Sequence, residues 1–220
     1  MKQIRRKIAA ALAVLMLLPS AVYAKNFSDI GGHWSAPYVR TLSDMGIVSG
    51  YGDGSFRPNG TVSKAEFFAM VNRAAGLRRT YTVTFSDVAP GSWYYREVAK
   101  GVKAGYLTPT TGRLHPNQPI SRQEAMRILA YMYNMTASPG SLSRFSDANF
   151  IAPAARPGVA ALVDAGVVSG YGDGRFVPGG SITRGEVAKV FQVLIANYNK
   201  PPARTVLDSK IPFGPRDLYE

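Results

Sequence analysis

Apolar positions along the chain fall into short stripes at helical spacing, and the stripes come in three similar pairs. The first stripe of each pair is Val39 and Leu42, then Trp93, Val98 and Val102, then Val159, Leu162 and Val163. Each ends at a glycine, Gly46, Gly105 or Gly166, placed to stop a helix. Ser35 and Pro37 mark the start of the first helix. The second stripe of each pair is Phe67, Met70, Val71 and Ala74, then Ala125, Ile128, Leu129 and Met132, then Val187, Val190, Phe191, Leu194 and Ile195. Steps of three and four predict helices that bury one face. Between the stripes lies a Gly-rich loop, Gly46 to Gly54, which returns almost letter for letter as Gly166 to Gly174. The middle pair has Gly105-Tyr106-Leu107-Thr108-Pro109-Thr110-Thr111-Gly112 instead. One helix-loop-helix unit cannot bury its own apolar face, so the three must pack together, most simply around a shared axis.

The second helix of each unit opens on the same four-residue pattern: Ser63-Lys64-Ala65-Glu66, Ser121-Arg122-Gln123-Glu124 and Thr183-Arg184-Gly185-Glu186. Ser or Thr followed by Glu three residues later is a capping box. The hydroxyl accepts from the third backbone N–H of the helix, and the Glu reaches back to the cap N–H. Ser63, Glu66, Ser121, Glu124, Thr183 and Glu186 are thereby assigned to capping. Lys64, Arg122 and Arg184 are not explained this way. A cation in the first helical turn faces the positive end of the helix dipole, where an anion is preferred. The expectation is that each helix start, with its cation exposed, meets an external anion.

A third marker, Phe27-Ser28-Asp29, recurs as Phe85-Ser86-Asp87 and Phe145-Ser146-Asp147. The markers divide the chain into units at 25–79, 80–139 and 140–199, joined at Arg78 to Thr84 and, with the clearer break, at Ala137 to Ser143. Residues 200–220 are a Pro-rich tail without periodicity. Residues 1–24 combine Lys2, Arg5, Arg6 and Lys7 with an apolar run and a small-residue ending at Ala24, the form of a secretory signal peptide.

The 220-residue chain carries a formal charge of +12, and with four basic residues in the leader the remainder is at +8. That balance favours an anionic partner, and export makes nucleic acid the poorest of the candidates. Without cysteine, stability has to come from an apolar core. His33 and His115 lie in non-equivalent places and belong to no triad or metal spacing, so the chain is not expected to be an enzyme or to hold a cofactor. The Tyr-Gly-Asp-Gly loops contain one carboxylate each, Asp53 or Asp173, too few for a calcium loop.

With its F-x-D starts, its Trp34 and Trp93, its Gly-rich loops ending in F-x-P, and its [ST]-[RK]-x-E helix starts, the stretch from 27 to 198 resembles the S-layer homology (SLH) domain family in three tandem copies. The resemblance implies a mainly α fold, a pseudo-threefold trimer of units around a central three-helix bundle. It implies a non-catalytic cell-surface anchor that binds anionic, often pyruvylated, secondary cell wall polysaccharide in grooves between units. Lys64, Arg122 and Arg184 would line those grooves. So would residues near the F-x-D and glycine markers, here Asp29, Asp87 and Asp147 with Gly46, Gly105 and Gly166. Trp34 and Trp93 offer flat faces to a sugar ring. Unit three lacks the Trp, having Phe150-Ile151-Ala152-Pro153, and unit two lacks the Tyr-Gly-Asp-Gly loop, so three sites of unequal strength are expected. The chain's end at Glu220 suggests a minimal wall-bound protein whose tail recruits other surface proteins. The competing expectation is a structural or adaptor protein whose repeats mediate protein–protein assembly, favoured if the three motif cations prove buried in ion pairs and the largest exposed apolar patch lies elsewhere. A third is a general cationic binder of acidic polymers, without preference for pyruvate.

Overall fold

A computed structural model describes residues 26–198, so the expected signal peptide and tail lie outside the described residues. The fold is mainly helical, as expected. Its α-helices are α1 (Ala36–Asp44), α2 (Lys64–Ala74), α3 (Tyr95–Ala104), α4 (Arg122–Met132), α5 (Arg156–Asp164) and α6 (Arg184–Tyr198), with 3-10 helices at Pro139–Arg144 and Ala148–Phe150. Among the described residues, β pairing is limited to three isolated bridges, Thr61 with Thr183, Ser63 with Pro119 and Ser121 with Ser181.

The predicted stripes are the core. Val39, Leu42, Val98, Val159 and Leu162 are fully buried, as are Phe67, Ala125, Ile128 and Leu194, and one apolar cluster runs through all three units. Two members depart from this: Ile195 is only partly buried, and Trp93 is 61% exposed, as Trp34 is 52% exposed. Both tryptophans precede the first turn of their helices, where the ring projects off the end instead of lying on the packed face.

The units interlock in a closed cycle. Helix α2 of unit one packs on α3 of unit two, α4 on α5 of unit three, and α6 returns to pack on α1 of unit one. The residues just before the capped helices repeat the cycle in backbone bonds: Val62 N–H donates to Ile182 O (3.2 Å), Ile182 N–H to Ile120 O (3.4 Å) and Ile120 N–H to Val62 O (2.9 Å). All three side chains are completely buried. Capped helices α2 and α6 also meet through Phe67 and Phe191, ring centroids 6.1 Å apart.

The connectors differ from expectation in one respect. The segment from Ala137 to Ser143, expected as a break, largely forms the Pro139–Arg144 3-10 helix, which packs against α5. Ser35 does stand at the start of α1, but its hydroxyl pairs with His33 Nδ1 at 2.8 Å and caps nothing.

Candidate functional site: grooves between the units

The capping boxes form as expected in units one and three. Glu66 Oε2 accepts from Ser63 N–H (2.9 Å), and Glu186 Oε2 accepts from Thr183 N–H (2.8 Å). Ser121 accepts from Glu124 N–H, but Glu124 turns away to Lys64 Nζ at 3.2 Å.

The expected opening of these helix starts to an external anion is overturned. The first two N–H groups of each capped helix already donate to carbonyls of a neighbouring unit: Lys64 and Ala65 to Gln118 and Pro116, Arg122 and Gln123 to Gly180 and Pro178, Arg184 and Gly185 to Gly60 and Pro58. The third donates to the cap hydroxyl. The first three N–H donors within each capped helix are thus already taken.

The motif arginines are not exposed either: Arg122 is 6% and Arg184 3% exposed. Arg184 Nε donates to Phe56 O (2.7 Å), Nη2 to Ser49 O (2.7 Å), and Nη1 faces Glu66 Oε1 at 3.5 Å. The guanidinium carbon lies 4.8 Å and 4.4 Å from the ring centroids of Tyr51 and Phe56. Arg122 repeats this one unit on: Nη2 to Ser169 O (2.8 Å), Nη1 to Glu186 Oε1 (3.5 Å), rings of Tyr171 and Phe176 at 5.1 and 5.0 Å. With Lys64 on Glu124, the three motif cations form a cycle of ion pairs, each reaching the motif Glu of the following unit.

Each arginine forms the floor of a groove built by three units. One groove, about 290 Å³, has Ser169, Gly170, Tyr171, Glu186 and Lys189 from unit three, Arg122 from unit two and Trp34 from unit one. The other, about 190 Å³, has Ser49, Gly50, Tyr51, Glu66 and Arg73 from unit one, Arg184 from unit three and Trp93 from unit two. A Cβ on Gly50 or Gly170 would run into the ring of Phe27 or Phe145. Glycine is therefore required where the loop passes over that ring. Tyr51 and Tyr171 donate to Glu66 (3.1 Å) and Glu186 (2.9 Å), and partial burial and that carboxylate keep their hydroxyls protonated well into the alkaline range. The tyrosines, Ser49, Ser169, Arg73 and Lys189 were missed in the sequence. The tyrosines and serines left a signal there, since each recurs in the Gly-rich loop at the same distance ahead of its capping Glu, whereas Arg73 and Lys189 do not recur.

The aspartates and glycines of the repeat markers lie elsewhere. Asp29 accepts from Phe56 and Arg57 N–H (2.8 and 2.7 Å), Asp87 from Leu114 and His115 (both 2.8 Å), Asp147 from Phe176 and Val177 (both 2.8 Å). The second residue of each pair has left-handed backbone: Arg57 at φ 58°, His115 at 56°, Val177 at 59°. That conformation is costly for a β-branched residue, and the carboxylate holds it. The clamped turn aims Phe56 O and Pro58 O at Arg184 and Gly185 of unit three. Gly46, Gly105 and Gly166, at φ 69°, 80° and 68°, end α1, α3 and α5 and line neither groove.

Burial opposes ionisation of Asp29 and Asp87, but two backbone N–H bonds to each outweigh it and hold both carboxyls below the usual range. A folded-state pKa below the unfolded value contributes stability that is present above the unfolded pKa, about 3.9, and is lost as pH falls through the folded one. In thermal melts, the Tm gap between wild type and Asp29→Asn is expected to be full at neutral pH and to shrink below about pH 4.

The S-layer homology domain matches residues 26–68, 84–126 and 144–188, more than half of the chain. The chain is 34% identical to an amylopullulanase of Thermoanaerobacterium thermosulfurigenes over 79% of this chain and 10% of that protein. It is 32% identical to the surface-layer 125 kDa protein of Lysinibacillus sphaericus, over 88% and 17%, and 38% identical to a cellulosome-anchoring protein of Acetivibrio thermocellus, over 34% and 17%. In each case it spans under a fifth of the relative's length.

Proposed function

The chain belongs to the S-layer homology domain family, and from that premise we propose that it is a non-catalytic anchor of the bacterial cell surface. On this reading it is exported and binds an anionic, pyruvylated wall polysaccharide in the two tyrosine-bearing grooves. The observation that carries the proposal is the composition of those grooves. Each combines a half-exposed indole, polar loop groups and cations, the set that receives an acidic sugar ring. The enzymes among the relatives are matched over so little of their length that their activities do not enter the proposal.

The two grooves differ. Arg57 stacks on Tyr51 at 4.2 Å, on a ring that Arg184 also contacts. Its counterpart in unit three is Val177, and Tyr171 is 43% exposed. The Arg122 groove thus presents Tyr171 and Trp34 together, and binds more tightly. The corresponding place in unit two has Thr108 and Pro109 in the loop, Lys64 as its motif cation, and Ala152 N–H tied to Gln123 Oε1; it is the weakest.

The adaptor reading has one observation in its favour, the burial of the motif arginines in ion pairs. Against it, Trp34, Trp93 and Tyr171, among the largest exposed apolar side chains, line the grooves and do not form a separate patch. Calorimetry of residues 25–220 with purified wall polysaccharide, native and depyruvylated, separates the readings. Trp34→Ala is expected to weaken the tighter site roughly ten-fold, equivalent to about 1.4 kcal/mol, and depyruvylation to weaken both. Equal binding of the two polymers, unaffected by Trp34→Ala, would move the adaptor reading to first place.

A further inference from the structure

We infer that the anion in each groove is read by a second cation of the capped helix, Lys189 in the Arg122 groove and Arg73 in the Arg184 groove, while the motif arginines only position the groove. The inference rests on the proposed use of the grooves as seats for an acidic sugar and names the groups that select its carboxylate.

The argument is one of charge and access. Arg122 and Arg184 are almost fully buried, and each spends its guanidinium on a loop carbonyl and a capping Glu of the next unit. In the Arg122 groove the positive charge of Arg122 is met by Glu186, and in its sister that of Arg184 by Glu66. A ligand carboxylate brought to either arginine would compete with a Glu already fixed by its own cap. What makes the grooves net positive is therefore the remaining cation of each. Lys189 and Arg73 are both exposed, both line their groove, and neither meets a carboxylate among the described residues. Arg73 makes one long bond, to Ile47 O at 3.5 Å, which leaves most of its fork free.

The two cations are not at equivalent positions. Lys189 is the sixth residue of α6 and Arg73 the tenth of α2. Four positions is one turn, about 6 Å along the axis, so both project from the same face at different depths. The chemistry differs too: Arg73 can engage a carboxylate through two parallel bonds, Lys189 as a point charge. The grooves would therefore hold the same acidic sugar in different registers, and a polymer carrying the acid at fixed intervals would engage the two unequally.

The test uses the protein of residues 25–220 and two probes: a methyl hexoside carrying a pyruvate ketal, and its uncharged methyl ester. Wild type is expected to bind the acid at least ten-fold more tightly than the ester, with affinity falling as salt rises. Lys189→Met combined with Arg73→Met is expected to abolish that preference and the salt dependence while Tm stays unchanged. Lys189→Met alone should remove the preference at one site only, and Lys189→Arg should keep it. If the double variant retains the full acid preference, the inference fails and the motif arginines carry the contact, with the anchor reading intact. If wild type binds neither probe nor the wall polysaccharide, both readings fall together.

Discussion

Arg184→Ala is expected to destabilise the fold by about 3–5 kcal/mol, a fall in Tm of roughly 10 °C for a domain of this size. The side chain is buried and bonded through all three nitrogens, and its donors go to two carbonyls and a carboxylate of unit one. Its truncation leaves Phe56 O, Ser49 O and Glu66 without those bonds, and opens a void between Tyr51 and Phe56. Burial lowers its pKa from the ordinary value, yet an arginine stays charged, so the cost falls on the unpaired partners. Lysine does not rescue, because one ammonium cannot reach both carbonyls in the geometry of a planar fork. Arg122→Ala is expected to cost less: its Nε is buried without a partner, so one carbonyl fewer is stranded. Lys64→Ala, removing a pair that is about one-fifth exposed, should cost under about 1 kcal/mol. Thermal unfolding of the three variants checks the order. Equal losses for Arg184 and Lys64 would mean that burial of the guanidinium is not what makes it costly.

Much of this architecture was legible in the sequence because it is local. The stripes, the glycine stops and the cap pairs lie within one helix or one turn, and periodicity reports them directly. The cations were misread because their partners are not local. A basic residue in a first helical turn looks exposed until Ser49 O, 135 residues away from Arg184, is brought to it. The same holds for Asp29, whose role depends on amides 27 and 28 residues further on. Lys189 and Arg73 were invisible for a different reason: they do not recur at one offset, so a search for repeats passes over the residues in which the units differ.

A chain cut after residue 139, lacking unit three, is expected to lose cooperative unfolding altogether. In an open stack of repeats each unit touches only its neighbours, and removing an end subtracts one interface. Here the third unit closes the cycle, so its removal breaks two. Helix α1 loses α6, and α4 loses α5. Val62 N–H loses Ile182 O at the centre, and Ile120 O loses its donor, both beside fully buried side chains. Arg122 loses Ser169 O and Glu186, and the first two N–H groups of α4 lose Gly180 O and Pro178 O. Both grooves go as well, one losing its wall and the other its Arg184 floor. Circular dichroism is expected to show a broad, sloping melt in place of a sharp one, with no binding of wall polysaccharide. A sharp transition within a few degrees of the full-length Tm would show instead that two units suffice, and that the cyclic bonds at the axis add little to what neighbouring helices already provide.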